Sequence, residues 1–144
     1  MRYFDTSAIA SLFIPDVHTA AVRRHVRKFD SQFAASALCR LELSSTVSRH
    51  ARMETIDQPD ALAVLREADA WFESHGEMKS FAIADWAVAD RIVRRFELKL
   101  RAPDALHIAL CLRDALTLVT FDHTQAKAAE AVGVETIIPM ETDG

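Results

Sequence analysis

The stretch RYFDTSAIASLF, residues 2–13, runs from a short extended segment through an acid into an apolar, helix-like run. Asp5 stands at the junction, where a carboxylate accepts hydrogen bonds from the free N–H groups of a helix's first turn, so capping is the ordinary explanation of one such acid. The same order recurs along the chain. QFAAS at 32–36, TLVTF at 117–121 and ETIIP at 135–139 read as further strands. Helical spacing is found near 7–14, 18–29, 38–53, 58–75, 84–97, 104–115 and 124–132, with Pro59 in the first turn of its helix. Strands alternating with helices predict an α/β fold, a central parallel sheet of four to five strands between two helical layers. Open sheets of this kind take ligands at the carboxyl ends of their strands. With neither repeat nor linker, residues 1–144 are expected to form one domain.

Composition narrows the function classes. A chain of 144 residues can bury ~68–70% of its unfolded surface, and with half its residues apolar, three Gly and four Pro it reads as an ordered, helix-rich body. Cys39 and Cys111 stand far apart with no C-x-x-C pair, which argues against a zinc knuckle or a disulfide framework and for a reducing cytoplasm. The apolar run from Ala8 to Ile14 lies between Asp5 and Asp16 with no basic leader, so no signal peptide is expected. No stretch approaches the ~18 apolar residues of a membrane span. A formal net charge of −4 gives no general attraction for nucleic acid, so a polyanion would need local basic patches or metal ions. The run Arg91, Arg94, Arg95, Lys99 and Arg101 is open to both a phosphate-gripping patch and a solvated helix face, as are Arg23, Arg24, Arg27 and Lys28.

Three further acids occupy unexpected places. Glu42 lies four residues after Leu38 and three after Cys39, on their apolar stripe, and needs a cation or metal if buried. Asp104 shares one helical face with Ile108, Cys111 and Ala115, and Pro103 keeps it in the first turn, where the macrodipole favours a negative charge. Asp122 follows the strand 117–121 and precedes a helix, so it too has a capping explanation. In a parallel sheet, however, Asp5 and Asp122 share one carboxyl edge, over which the Asp104 helix can lean, and Glu42 follows the second strand. Four carboxylates meeting there without cations would repel one another and raise their pKa values. A hard divalent cation with oxygen ligands removes that conflict.

In order and approximate spacing, FDTSA with Asp5, LCRLELS with Glu42, APDALHIA with Asp104 and LVTFD with Asp122 resemble the four acidic signatures of PIN-domain ribonucleases. KAAEAVGVETIIP is similar to that family's last helix and strand. The likeness covers essentially the whole chain and is greatest to the VapC toxins of prokaryotic toxin–antitoxin pairs. It implies a PIN-like three-layer α/β/α sandwich in which Asp5, Glu42, Asp104 and Asp122 bind one or two Mg²⁺ or Mn²⁺ ions, with Thr6, Ser7 and Thr120 as supporting hydroxyls. It implies hydrolysis of RNA phosphodiesters by a metal-activated water, with Glu42 orienting the metal or its water. It also implies a homodimer and a VapB-type antitoxin whose tail covers the acidic cleft. The chain departs from a fuller acidic set in that His123 and Thr124 follow Asp122, with no further acid before Glu130.

The remaining features take blander readings. His107, one turn after Asp104, reads as a structural hydrogen-bonding residue before a ligand or proton shuttle. Trp71, Phe72 and Trp86 read as core or dimer contacts before base-stacking rings. A haloacid-dehalogenase-type phosphatase expects a second Asp two positions after the first, where Ser7 stands, and a response-regulator receiver expects adjacent acids near the first strand. The serious alternative is a non-enzymatic α/β binding module whose acids only cap helices.

Overall fold

The computed structural model describes residues 1–29 and 33–140. In chain order the elements are β1 (Arg2–Phe4), α1 (Thr6–Phe13), α2 (Thr19–Lys28), β2 (Phe33–Ser36), α3 (Ala37–Arg52), α4 (Gln58–Ser74), β3 (Glu77–Lys79), α5 (Ile83–Val93), a 3-10 turn at Phe96–Leu98, α6 (Ala102–Asp114), β4 (Thr117–Val119), α7 (His123–Ala131) and β5 (Thr136–Ile137). The five strands form one wholly parallel sheet in the order β3-β2-β1-β4-β5. Helices flank it on both faces, giving the expected α/β/α sandwich. Among the described residues no helix is long and apolar enough to cross a membrane.

Strand β1 is central because its residues can be buried on both faces. Tyr3 and Phe4 are fully buried, with Tyr3 opposite Ala34 on one side and Leu118 on the other. Two-sided burial and near-continuous apolar strands are what parallel sheets require. Trp71 of α4 packs against Phe4, Phe13, Phe33 and Phe72, which places both of these aromatics in or against the core. Trp86 instead stands 60% exposed on α5, beside Ile83 at 91%. Cys39 and Cys111 are buried free thiols.

Two expectations are corrected. The segment 77–79 was not expected as a strand, yet it pairs with β2 through Ala35 opposite Met78. Gly76 permits this: at φ +76° it turns the chain under β2, and a Cβ there would lie 2.2 Å from the Phe33 carbonyl oxygen. The helix expected to reach 97 ends at Val93, because a 3-10 turn and a left-handed Lys99, φ 57°, redirect the chain toward α6. Gln32, expected in the second strand, lies outside the described residues.

Candidate functional site

The carboxyl ends of β1 and β4 are tied together before any side chain acts. The Asp5 N–H donates to the Val119 carbonyl at 3.1 Å, so the residues after both strands leave the sheet side by side. Asp5 then caps α1 by accepting from the Ala8 N–H at 3.0 Å, and Asp122 caps α7 by accepting from the Gln125 N–H at 3.1 Å. Asp104, in the first turn of α6, accepts from the Arg101 N–H at 3.4 Å. The capping roles are therefore real, and they coexist with convergence. Asp5, Glu42, Asp104 and Asp122 all line one cavity of about 560 Å³.

Each hydroxyl named with the acids reaches one of them. Thr120 donates to Asp5 Oδ2 at 2.6 Å and Ser7 donates to Asp5 Oδ1 at 2.7 Å, while Thr6 donates to Glu42 Oε1 at 2.8 Å. The Thr120 oxygen also accepts from the Asp122 N–H at 2.9 Å, so one hydroxyl links two of the acids. Glu42 Oε1 lies 2.6 Å from His107 Nε2, and the other ring nitrogen lies 2.6 Å from the Tyr3 hydroxyl. His107 thus makes the structural hydrogen bonds expected of it, and one of its partners is a cavity carboxylate.

The electrostatics divide the acids. Burial pushes the Asp5 carboxyl up, against the lowering from Thr120, Ser7 and the Ala8 N–H. Burial also raises Asp104, against Arg101, and the charge of Asp122 adds to the rise. For Glu42 burial works upward too, but the hydrogen bond and charge of His107, with Thr6 and Arg101, hold its carboxyl below the usual range. His107 resists its own desolvation and is raised to about 10 by Cys39 and Glu42. A protonated ring donating at both nitrogens satisfies this geometry.

This donor set fits a hard divalent cation in charge and in atom type. It offers carboxylate oxygens, two of which ionise reluctantly where they stand, and a cation would relieve that cost. Among the described residues no three His, Cys, Asp or Glu side chains are grouped closely enough to chelate an ion as they are. Few protein ligands and several waters is the coordination Mg²⁺ favours.

Sequence reasoning missed other parts of the wall. Ser45, Thr46 and Arg49 line the cavity with Glu42, at offsets of three, four and seven along α3, and that spacing was available in the sequence. Asp16, His18, Phe121 and Gln125 line it as well. Of the basic run, Arg101 alone lines the cavity, whereas Arg94 pairs with Asp90 and Arg95 with Glu97 on the surface.

The family model of the PIN domain matches residues 2–131. The chain belongs to the PIN-domain family. Several solved structures share its fold. Mycobacterium tuberculosis VapC20, described as a Sarcin-Ricin loop cleaving toxin, superposes with a TM-score of 0.74 at 18% identity, covering 96% of this chain and 100% of that one. VapBC2 from Rickettsia felis, bound to a DNA fragment from its promoter, gives 0.69 at 16% identity, covering 95% and 98%. A toxin–antitoxin complex from Klebsiella pneumoniae gives 0.64 at 20% identity, covering 98% and 99%. Among curated protein sequences none matches the chain.

Proposed function

We propose that this PIN domain is a divalent-metal-dependent endoribonuclease, acting in the cytoplasm as the toxin half of a VapBC-type pair. The observation that carries the reading is the meeting of Asp5, Glu42, Asp104 and Asp122, from four separate segments, around one cavity at the carboxyl edge of a PIN-family sheet. Asp5, Asp104 and Asp122, with Glu42, would hold Mg²⁺ or Mn²⁺. When bound, the ion supplies Lewis acidity toward a phosphoryl oxygen and a water of lowered pKa.

The chain's own groups do the positioning. Thr120 and Ser7 hold the Asp5 carboxylate in one orientation by donating to both its oxygens. His107 and Thr6 both engage Glu42 Oε1, which keeps Glu42 ionised and leaves Oε2 to orient the ion or its water. Arg49 and Arg101, on the cavity wall, offer guanidinium groups to the phosphates on either side of the scissile bond. A homodimer through α5, where Ile83 and Trp86 are exposed, and an antitoxin segment covering the cavity complete the proposal. Solved toxin–antitoxin complexes of the same fold support such a partner.

The test is purified Asp5→Asn protein incubated with RNA and Mg²⁺. Loss of one such group from a metal-assisted site is expected to lower the rate at least ~100-fold with the fold retained, and undiminished cleavage refutes the assignment. The capping hydrogen bonds of Asp5, Asp104 and Asp122 favour a second reading, a binding module with no metal. Mn²⁺ raises the melting temperature in the first reading and leaves it unchanged in the second.

A further inference from the structure

One part of the cavity wall is aromatic. The imidazole of His18 lies flat on the ring of Phe121, with centroids 4.3 Å apart and planes inclined by 13°. Phe121 is nearly buried, whereas His18, at the head of α2, is exposed, and both line the cavity. Among the described residues no second ring stacks on His18. The structure therefore presents an aromatic face backed by another aromatic, at the edge of a cavity lined by five carboxylates.

The main chain beneath each ring is anchored. The Phe121 N–H donates to Ser7 Oγ at 3.0 Å, and that same hydroxyl donates to Asp5 Oδ1 at 2.7 Å. The His18 N–H donates to Asp16 Oδ1 at 2.8 Å, and Asp16 is itself held by Ser11 at 2.8 Å. One serine hydroxyl thus ties the main chain of Phe121 to the carboxylate at the end of β1. A net negative chain lining its cavity with two arginines has little cationic grip on a polyanion, and ring stacking adds affinity without charge. Every base has a π-face, so such a contact tolerates any sequence and favours the larger purines modestly.

We propose that His18, supported by Phe121, is a shelf on which a nucleobase beside the scissile phosphate stacks, making His18 a substrate-positioning residue. The inference rests on the ribonuclease reading and deepens it. The test uses the full chain with two substitutions. His18→Leu keeps bulk over Phe121 but has no π-face, and His18→Tyr keeps a ring. Single-stranded oligoribonucleotides carrying one 2-aminopurine at successive positions around the wild-type cleavage site are bound in Ca²⁺ in place of Mg²⁺, and fluorescence and affinity are read together.

Wild type is expected to quench 2-aminopurine at one position. His18→Leu is expected to lose that quenching and to bind about 5- to 150-fold more weakly, the worth of one base stack, while His18→Tyr retains both. Leucine and wild-type proteins alike in quenching and affinity overturn the shelf and leave the ribonuclease reading standing. So does a tyrosine protein as impaired as the leucine one. A wild-type chain that neither cleaves nor binds RNA overturns the ribonuclease reading itself, and the shelf with it.

Discussion

Replacing Thr120 with Val tests how the acidic cavity is held together. The substitution keeps the shape of a fully buried side chain and removes one oxygen. That oxygen donates to Asp5 at 2.6 Å and accepts from the Asp122 N–H at 2.9 Å. A hydrogen bond to a charged group contributes about 1.5–3 kcal/mol, and stranding the N–H of half-buried Asp122 costs at most the ~1–3 kcal/mol of a buried one. The expected loss is therefore about 2.5–6 kcal/mol, out of the ~5–15 kcal/mol that holds a typical domain folded. At this chain length it corresponds to a fall in melting temperature of about 5–25 °C. Thr120→Ser, which keeps the hydroxyl and loses one methyl, should fall by only about 1 kcal/mol. Urea unfolding of both variants, and of Asp5→Asn alone and combined with Thr120→Val, separates the pair from its surroundings; a coupling of about 0.5–3 kcal/mol is expected. A valine protein within ~0.5 kcal/mol of wild type, or a coupling of zero, would falsify the reasoning that this hydroxyl sustains the buried carboxylate.

Gly76→Ala should cost several kcal/mol, since its Cβ would meet the Phe33 carbonyl at 2.2 Å in a left-handed backbone; an unchanged urea midpoint speaks against the account of β3. Because Asp5 and Asp104 have raised pKa values, the cation-free folded chain holds protons that the unfolded chain has released, so these two acids destabilise it as pH rises through that window. Mn²⁺ should accordingly raise the melting temperature more at pH ~7.5 than at pH ~5, where protons compete for the same oxygens, and equal gains at both would count against those carboxylates as ligands. His107 runs from an unfolded value near 6.5 to about 10 when folded, so its stabilising contribution is complete below about 6.5 and is lost as pH rises toward 10. The loss should not exceed about 1.4 kcal/mol per pH unit, and a His107→Gln protein with the same slope in urea titrations from pH ~6.5 to ~10 rules out this ring as its source.

Much of the fold was legible because burial leaves periodicity behind. The apolar β1, β2 and β4 and the capped helices each carry a local signature in RYFD, FAAS, TLVTFD and QPDALAVL. β3 carries none. Its three residues, Glu77–Lys79, pair with β2 through main-chain groups while the side chains of Glu77 and Met78 face solvent, so no alternation records it. The helix expected to end at 97 stops at Val93: Phe96 continues the apolar pattern in the sequence, yet that ring is 84% exposed on the 3-10 turn. At the cavity, acids on apolar stripes are anomalies that one segment can reveal, whereas the meeting of His18 with Phe121 depends on two loops distant in the chain. Arg49 lay between these cases: its offset of seven from Glu42 was visible, but arginine on a helix is ordinary until the opposite wall is known.

The central place of β1 also governs when a finished molecule can first act. Its partner hydroxyl for Asp5 comes from Thr120, 115 residues later, so a chain emerging from the ribosome carries its first acid exposed long before the wall that completes the cavity exists. At ~5–20 residues per second that interval is roughly 6–25 s. Throughout it the amino-terminal half carries Asp5 without the hydroxyl that orients it, and the acidic cavity closes only once β4 has been made.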